Sequence, residues 1–270
     1  MVRGWLYRVL LAGVVCLVCL APAAADANQP LRVGMATVYR PFAFKEDGKL
    51  QGVEADFAVQ LGKDLGVDVT LVELPWEELI PALRKGQIDV IMSGMSITPE
   101  RSKLVTFTQP YLQVGQMALI RRDDSLRLRD EATMNLPTTT IGVHGGTTGE
   151  AYVRRHLPRA KLKTYPSVDA GIAALRAKEI DFFIHDAPTI WRVRGREKDQ
   201  YPDLMGRYRL LTTEDLAWAV RKDDASLRNR LNAALANWED NDWLDGVLAR
   251  WIPVRKVAID MPPPAAVHQR

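Results

Sequence analysis

The chain has 270 residues, with 36 Lys or Arg against 33 Asp or Glu and a net charge of +3. Arg3 and Arg8 fall among the first 25 residues, so the remainder is close to neutral and gives no electrostatic reason to expect nucleic acid or an anionic membrane as partner. Both cysteines, Cys16 and Cys19, fall there too, which leaves the rest without a disulfide, thiol nucleophile or thiolate metal site.

Residues 1–25 read as a cleaved secretory signal. Arg3 and Arg8 make the positive end, residues 9–20 an apolar stretch too short to span a bilayer, and Ala23, Ala24 and Ala25 the small residues for cleavage. Cleavage after Ala27 is the alternative. Val15 and Val18 precede the cysteines where a lipoprotein site would carry small residues. The expected destination is the periplasm, since no later apolar run approaches the roughly 20 residues of a spanning helix.

From residue 31 the pattern alternates. Residues 31–36 are expected as a strand, 54–65 as a helix carrying Phe57, Val59 and Leu61, 67–73 as a strand, 76–85 as a helix and 88–92 as a buried strand. An apolar strand at 116–122 ends in charge. The alternation then repeats with strand 140–143, helix 149–156, strand 161–165, helix 168–177 and strand 180–184. A strand at 216–222 and a helical pattern at 226–251 follow. Such alternation predicts an α/β fold of mostly parallel sheets flanked by helices.

Residues 81–92 (PALRKGQIDVIM) and 173–184 (AALRAKEIDFFI) share Ala, Leu, Arg, Ile and Asp, which fits two similar lobes. The strands at 116–122 and 216–222 then read as a two-strand hinge. One lobe is 29–118 with 220–253, the other 119–219, and a cleft between them is a preferred place for a small ligand. Residues 254–270, with Pro262, Pro263 and Pro264, read as a flexible tail.

Three strand-to-helix junctions carry the chemistry. Thr98 caps a short helix entered at Pro99, which puts Arg101 in a first turn where a cation is disfavoured unless an anion meets it. A solvated surface Arg is the plain alternative. Just upstream, Ser93, Gly94, Met95 and Ser96 offer hydroxyls and backbone groups at a strand's carboxyl end, where open α/β sheets bind ligands. His144, Gly145, Gly146, Thr147 and Thr148 run from strand to helix; the glycines admit close approach and the free N–H groups can hold an anion. No Gly-Lys-Ser/Thr follows, so this is not a phosphate loop, and no cofactor is expected. Thr147 or Thr148 could simply cap that helix. Asp186 follows the 180–184 strand and could equally be a cap for the helix that Pro188 enters. Tyr39 and Trp76 lie near strand ends where they could flank a ligand, while Phe42 reads as core. Guanidinium and amide for a carboxylate, with Asp186 for an ammonium, make a receptor for a zwitterion.

The stretches LRVGMATVYRPFAF, GVEADFAVQLGKDLG, PWEELIPALRKGQIDVIMSGMSITPERSKLVTFTQPY, IGVHGGTTGEAY and IDFFIHDAP resemble the bacterial extracellular solute-binding proteins of family 3, which serve polar amino-acid ABC importers. The resemblance implies a two-lobed periplasmic-binding-protein fold (type II) that closes on its ligand. It implies Arg101 with the Thr148 backbone on the ligand carboxylate, and Asp186 with Ser93 and Ser96 on the ammonium. Tyr39 and Trp76 would flank the side chain, and Thr147 would line the second lobe. Members that bind cationic amino acids often carry an acid where this chain has Ala36. That favours a neutral or acidic polar ligand, unless another acid substitutes. The implied partners are a free amino acid and an inner-membrane ABC permease, with the protein a monomer. Two other readings stand beside this one. A cyclohexadienyl dehydratase-like enzyme would need a general acid from His144, His185 or Glu150. A ligand-sensing module for a membrane receptor would use the same cleft. His144 and His185 without a third ligand make a poor metal site, and none is expected.

Overall fold

The computed structural model describes residues 29–252, apart from residues 129, 196 and 208; the signal segment 1–25 and the tail 254–270 lie outside the described residues. The chain opens on β1 (Leu31–Met35), then a small antiparallel patch of β2 (Val38–Tyr39), β3 (Ala43–Glu46) and β4 (Lys49–Gln51). Helix α1 (Val53–Leu65) buries Phe57 and Leu61 and ends on Gly66 in the left-handed conformation. Val59, expected beside them, is 57% exposed. Strand β5 (Val69–Glu73) follows. The helix expected at 76–85 is two pieces: Pro75 starts a 3-10 turn over Trp76–Glu78, and α2 (Leu79–Arg84) continues from it. Next come β6 (Val90–Ile91), α3 (Pro99–Ser102), β7 (Thr106–Phe107), β8 (Leu112–Val114) and β9 (Gln116–Arg121).

The second alternation is α4 (Glu131–Met134), β10 (Thr140–His144), α5 (Thr148–His156), β11 (Lys161–Tyr165), α6 (Val168–Arg176), β12 (Phe182–Asp186), α7 (Ala187–Arg194) and β13 (Leu204–Arg207). Then β14 (Glu214–Leu216), β15 (Ala219–Val220), α8 (Ala225–Asp240) and α9 (Trp243–Trp251) finish the described chain.

Two five-stranded sheets result, in the orders β5-β1-β6-β15-β7 and β11-β10-β12-β9-β13. In each, three parallel strands are followed on one side by a single reversed strand, β15 or β9, and then by β7 or β13, which pairs antiparallel with that strand and so runs in the direction of the first three. The shared letters of the two halves do the same work in both. Asp89 accepts from the Arg32 backbone N–H at 3.0 Å and returns its own N–H to the Arg32 carbonyl at 2.8 Å. Asp181 does the same with Thr140, at 2.8 and 2.7 Å. Each pair fixes the register of the central strand against its neighbour. The isoleucines match as well: a Cβ on Gly34 would lie 2.3 Å from Ile88 Cδ1, and one on Gly142 would lie 2.3 Å from Ile180 Cδ1. Each glycine leaves room for the tip of the isoleucine packed over it.

Between the sheets runs an antiparallel ribbon of β8 and β14, Leu112 opposite Leu216 and Val114 opposite Glu214. The crossings expected at 116–122 and 216–222 therefore sit differently. Gln116–Arg121 is wholly a strand of the second sheet, and the later segment breaks between β14 and β15. Apolar clusters cover both faces of both sheets, the largest built around Phe57, Trp218 and Trp238 where α1, α8 and α9 meet.

Within that largest cluster sits a carboxyl group. Glu54, fully buried, accepts from Gly94 N–H at 2.7 Å, Tyr111 hydroxyl at 2.7 Å and Trp218 Nε1 at 2.9 Å. Burial pushes its pKa up to about 7, against the pull of those three donors. Folding therefore favours the protonated group, and its contribution to stability declines as pH rises through 7. Glu54→Gln should cost about 1–3 kcal/mol at pH 8 by urea denaturation, because an amide NH2 must face one of three buried donors.

Candidate functional site

The carboxyl ends of β6, β10 and β12 deliver three loops to one place. After β6, Thr98 caps α3 with its side chain accepting from Arg101 N–H at 3.2 Å. That turn aims the Arg101 guanidinium back over the loop: Nη1 donates to Ser96 O at 2.9 Å and Nη2 to Gly146 O at 3.4 Å. Its Cζ lies 5.1 Å from the Trp76 ring centroid, a cation–π distance. Trp76 Nε1 donates to the same Gly146 carbonyl at 3.0 Å. Two residues from the first-sheet side thus meet one peptide from the second.

After β10, the chain turns at Gly146, with φ of 71°, into α5. Neither threonine caps that helix with its side chain. Thr147 Oγ1 donates to His144 O at 2.7 Å, and Thr148 Oγ1 accepts from Gln116 Nε2 at 3.1 Å.

After β12, Asp186 occupies the N-cap position of α7 but makes no capping bond with its side chain. Its carboxyl group instead accepts from the Tyr39 hydroxyl and from Gln116 Nε2. The capping alternative is thereby replaced by a contact across the cleft, Tyr39 coming from β2 and Asp186 from β12. Burial and, next, the charge of Glu214 push the Asp186 pKa up to about 7, against the pull of Tyr39, Gln116 and Arg101. Burial also lowers the Arg101 pKa, offset by the charges of Asp186, Glu214 and Glu100.

These groups wall one cavity. Tyr39, Trp76, Gly94, Ser96 and Arg101 come from the first side, His144, Thr147, Thr148 and Asp186 from the second, with Ala36 and His185 beside them. The cavity is about 20 Å³, little more than one water. Tyr39 and Gln116 occupy the Asp186 carboxyl. Ser93 and Met95, expected here, do not line it. Ser93 Oγ accepts from Ala36 N–H at 3.0 Å, and Met95 is buried in the apolar cluster with Leu79 and Val105. The chain turns at Gly94, with φ of 64°, and Gly94 and Ser96 line the cavity while Ser93 and Met95 turn away from it. Ser96 Oγ donates to Glu214 Oε2 at 2.7 Å rather than toward Asp186.

Three residues that sequence reasoning missed, Gln116, Thr212 and Glu214, complete the polar ring. Gln116 N–H donates to Thr212 Oγ1 at 2.9 Å, and that hydroxyl donates to Glu214 Oε1 at 2.6 Å. The only sequence signal for Gln116 is a polar residue opening an otherwise apolar strand. His185 is buried, with Nδ1 3.1 Å from Thr189 Oγ1, and burial beside His144 pushes its pKa down to about 3. It is a neutral ring at pH 7. His144 stacks on it with centroids 6.2 Å apart, and burial lowers its pKa too, against the charge of Glu77 and a bond to the Pro166 backbone.

Residues 31–254 match the family described as bacterial extracellular solute-binding proteins, family 3. Among curated relatives, a probable histidine-binding protein of Campylobacter jejuni is 34% identical over 166 residues, spanning 61% of this chain and 63% of that protein. Two solved structures are similar over 83% of this chain and 95% of theirs. One is the putative binding component of an ABC transporter from Wolinella succinogenes complexed with lysine, at 32% identity and a TM-score of 0.77. The other is the ancestral amino acid-binding protein AncCDT-1, a precursor of cyclohexadienyl dehydratase, at 33% identity and a TM-score of 0.76. The fold is the two-lobed type II periplasmic-binding architecture of these proteins.

Proposed function

We propose, since the chain belongs to the bacterial extracellular solute-binding proteins, family 3, that it captures a free polar amino acid in the periplasm and delivers it to an inner-membrane ABC permease. The observation that carries this reading is the placement of Arg101 and Asp186 on opposite walls of one cavity. The ligand carboxylate takes the Arg101 guanidinium and the free N–H groups at the start of α5. The ammonium takes Asp186, displacing Tyr39 and Gln116 from it. The carboxylate thus bridges both sides of the cleft while the ammonium holds the second, and closure is stabilised by contacts that only the ligand makes to both. We take the part of the chain that carries β1–β7 and β15–α9 as one moving lobe and the part that carries β9–β13 as the other, with the β8–β14 ribbon between them, so the lobe bounds expected at 118/119 and 219/220 shift to keep β9 and β15 whole.

A thermal-shift screen against the twenty amino acids tests this reading. A ligand that binds only the folded form raises the melting temperature. One amino acid, or a chemically related few, should raise it by several degrees. No shift with any of them counts against amino-acid capture.

A pH dependence follows from Asp186. Its carboxyl has a pKa near 7 while paired with Tyr39 and Gln116, and an ammonium beside it lowers that value. Binding must therefore release a proton below pH 7. Affinity should be flat above pH 7.5 and weaken toward tenfold per pH unit as pH falls to 5.5. Calorimetry in buffers of different ionisation enthalpy should show that proton leaving.

The enzyme reading draws on AncCDT-1 being described as a precursor of a dehydratase. Its candidate acids are poorly poised here. His185 is held neutral, burial lowers the His144 pKa as well, and Glu150, bonded to Gly146 N–H and Arg154, has its pKa lowered. Steady conversion of prephenate to phenylpyruvate would overturn the binding reading.

A further inference from the structure

Directly outside the inner cavity lies a second, larger space. A cleft of about 720 Å³ opens there, sharing Trp76 and His144 with the cavity. That volume is in the roughly 300–1,000 Å³ range of small-molecule sites, whereas the inner cavity is sized for an amino-acid head group at most once its walls part. The wall is continuous from one space to the other: Ala36 lines the cavity, while the next residues, Thr37 and Val38, line the cleft. At Ala36 the wall carries only a methyl group on the way from one space to the other, while Trp76 and Arg101 meet the Gly146 carbonyl across it.

The charge around this passage is one-sided. Glu73 and Glu77 line the cleft, and among the described residues no lysine or arginine lines it. Glu73 is already matched, by Lys45 Nζ at 2.7 Å and the Thr37 hydroxyl at 2.9 Å. Glu77 is exposed at the start of the 3-10 turn, and its charge reaches the His144 ring on the opposite side. In the inner site, Arg101 faces both Asp186 and Glu214. A zwitterionic head group adds no net charge, so that negative excess persists after it binds.

We infer that the outer cleft is the side-chain subsite, and that Glu77 makes it select a long side chain ending in a cation. This inference rests on the amino-acid reading above. It revises the preference for a neutral or acidic ligand drawn from Ala36: the acid absent there is supplied farther out, by Glu77. Trp76, lining both spaces, gives the aliphatic stem and the cation a flat apolar wall.

The test is isothermal titration of the full mature chain, and of Glu77→Gln, with L-arginine, L-lysine, L-glutamine and L-glutamate. Glu77 is exposed, so the substitution leaves the fold intact. Wild type should bind arginine or lysine at least tenfold more tightly than glutamine. Glu77→Gln should weaken the cationic ligand about tenfold and leave glutamine within twofold. Tightest binding of glutamine or glutamate, or a Glu77→Gln variant that loses all ligands equally or none, overturns the inference while amino-acid capture stands. Absence of binding by all four to wild type, together with no shift in the twenty-amino-acid screen, overturns both.

Discussion

Replacing Arg101 with alanine should abolish most amino-acid affinity while the protein stays folded. The guanidinium is half-buried, and burial already disfavours its charge. The bonds it makes are to neutral carbonyls, Ser96 O and Gly146 O. Those carbonyls orient the fork without neutralising it, so the ligand carboxylate is the bidentate partner that suits it. Truncating one member of a desolvated charge pair costs about 2–5 kcal/mol, or about 30-fold to several-thousand-fold in Kd. Arg101→Lys should recover only part of that, since a point charge cannot reproduce the fork. Calorimetry with the wild-type ligand reads both. An alanine variant that binds as tightly as wild type would remove Arg101 from the site.

Asp186→Asn should show an equally large loss of affinity with the opposite effect on stability. The amide keeps the shape and an acceptor for Tyr39 or Gln116, but the ligand ammonium loses its counter-charge, again at about 2–5 kcal/mol. Stability runs the other way because of the sign of the pKa shift. Burial and Glu214 raise the folded-state pKa to about 7, well above the ordinary carboxylate range. The stability that this group contributes is present at low pH and is lost as pH rises through 7, where a buried charge must be carried. At pH 8 the asparagine variant without ligand should therefore melt at or above the wild-type temperature. A lower melting temperature together with unchanged binding would mean that Asp186 only ties down Tyr39 and Gln116 and does not hold the ligand.

Much of this fold was legible because period and punctuation agree. The strand–helix alternation and the shared Ile-Asp pairs at 88–89 and 180–181 come through as two equivalent sheets, with the two aspartates clamping equivalent strands. Local signals also placed Thr98 as the cap that aims Arg101. What sequence did not reveal depends on tertiary register. Gln116 meets Asp186 because β9 runs antiparallel to β12 with those two residues opposite each other. Glu214 reaches the site through the bridge of Ser96 to Leu216. No spacing in the chain announces either contact. Ser93 and Met95 fall outside the cavity for a local reason: a run of residues at a strand end looks uniformly available, yet the turn at Gly94 leaves both of them buried. The crossings were displaced because β9 is as apolar as a buried sheet strand, which is what it is.

One central claim carries the rest: opposite charges from the two sides of the cleft hold a single zwitterion. The direct measurement is calorimetry with the amino acid that binds, its N-acetyl derivative and its decarboxylated amine. The first derivative leaves Asp186 without an ammonium, and the second leaves Arg101 without a carboxylate. The parent alone should bind, with each derivative weaker by about two orders of magnitude or more. Undiminished affinity for either derivative would contradict the claim.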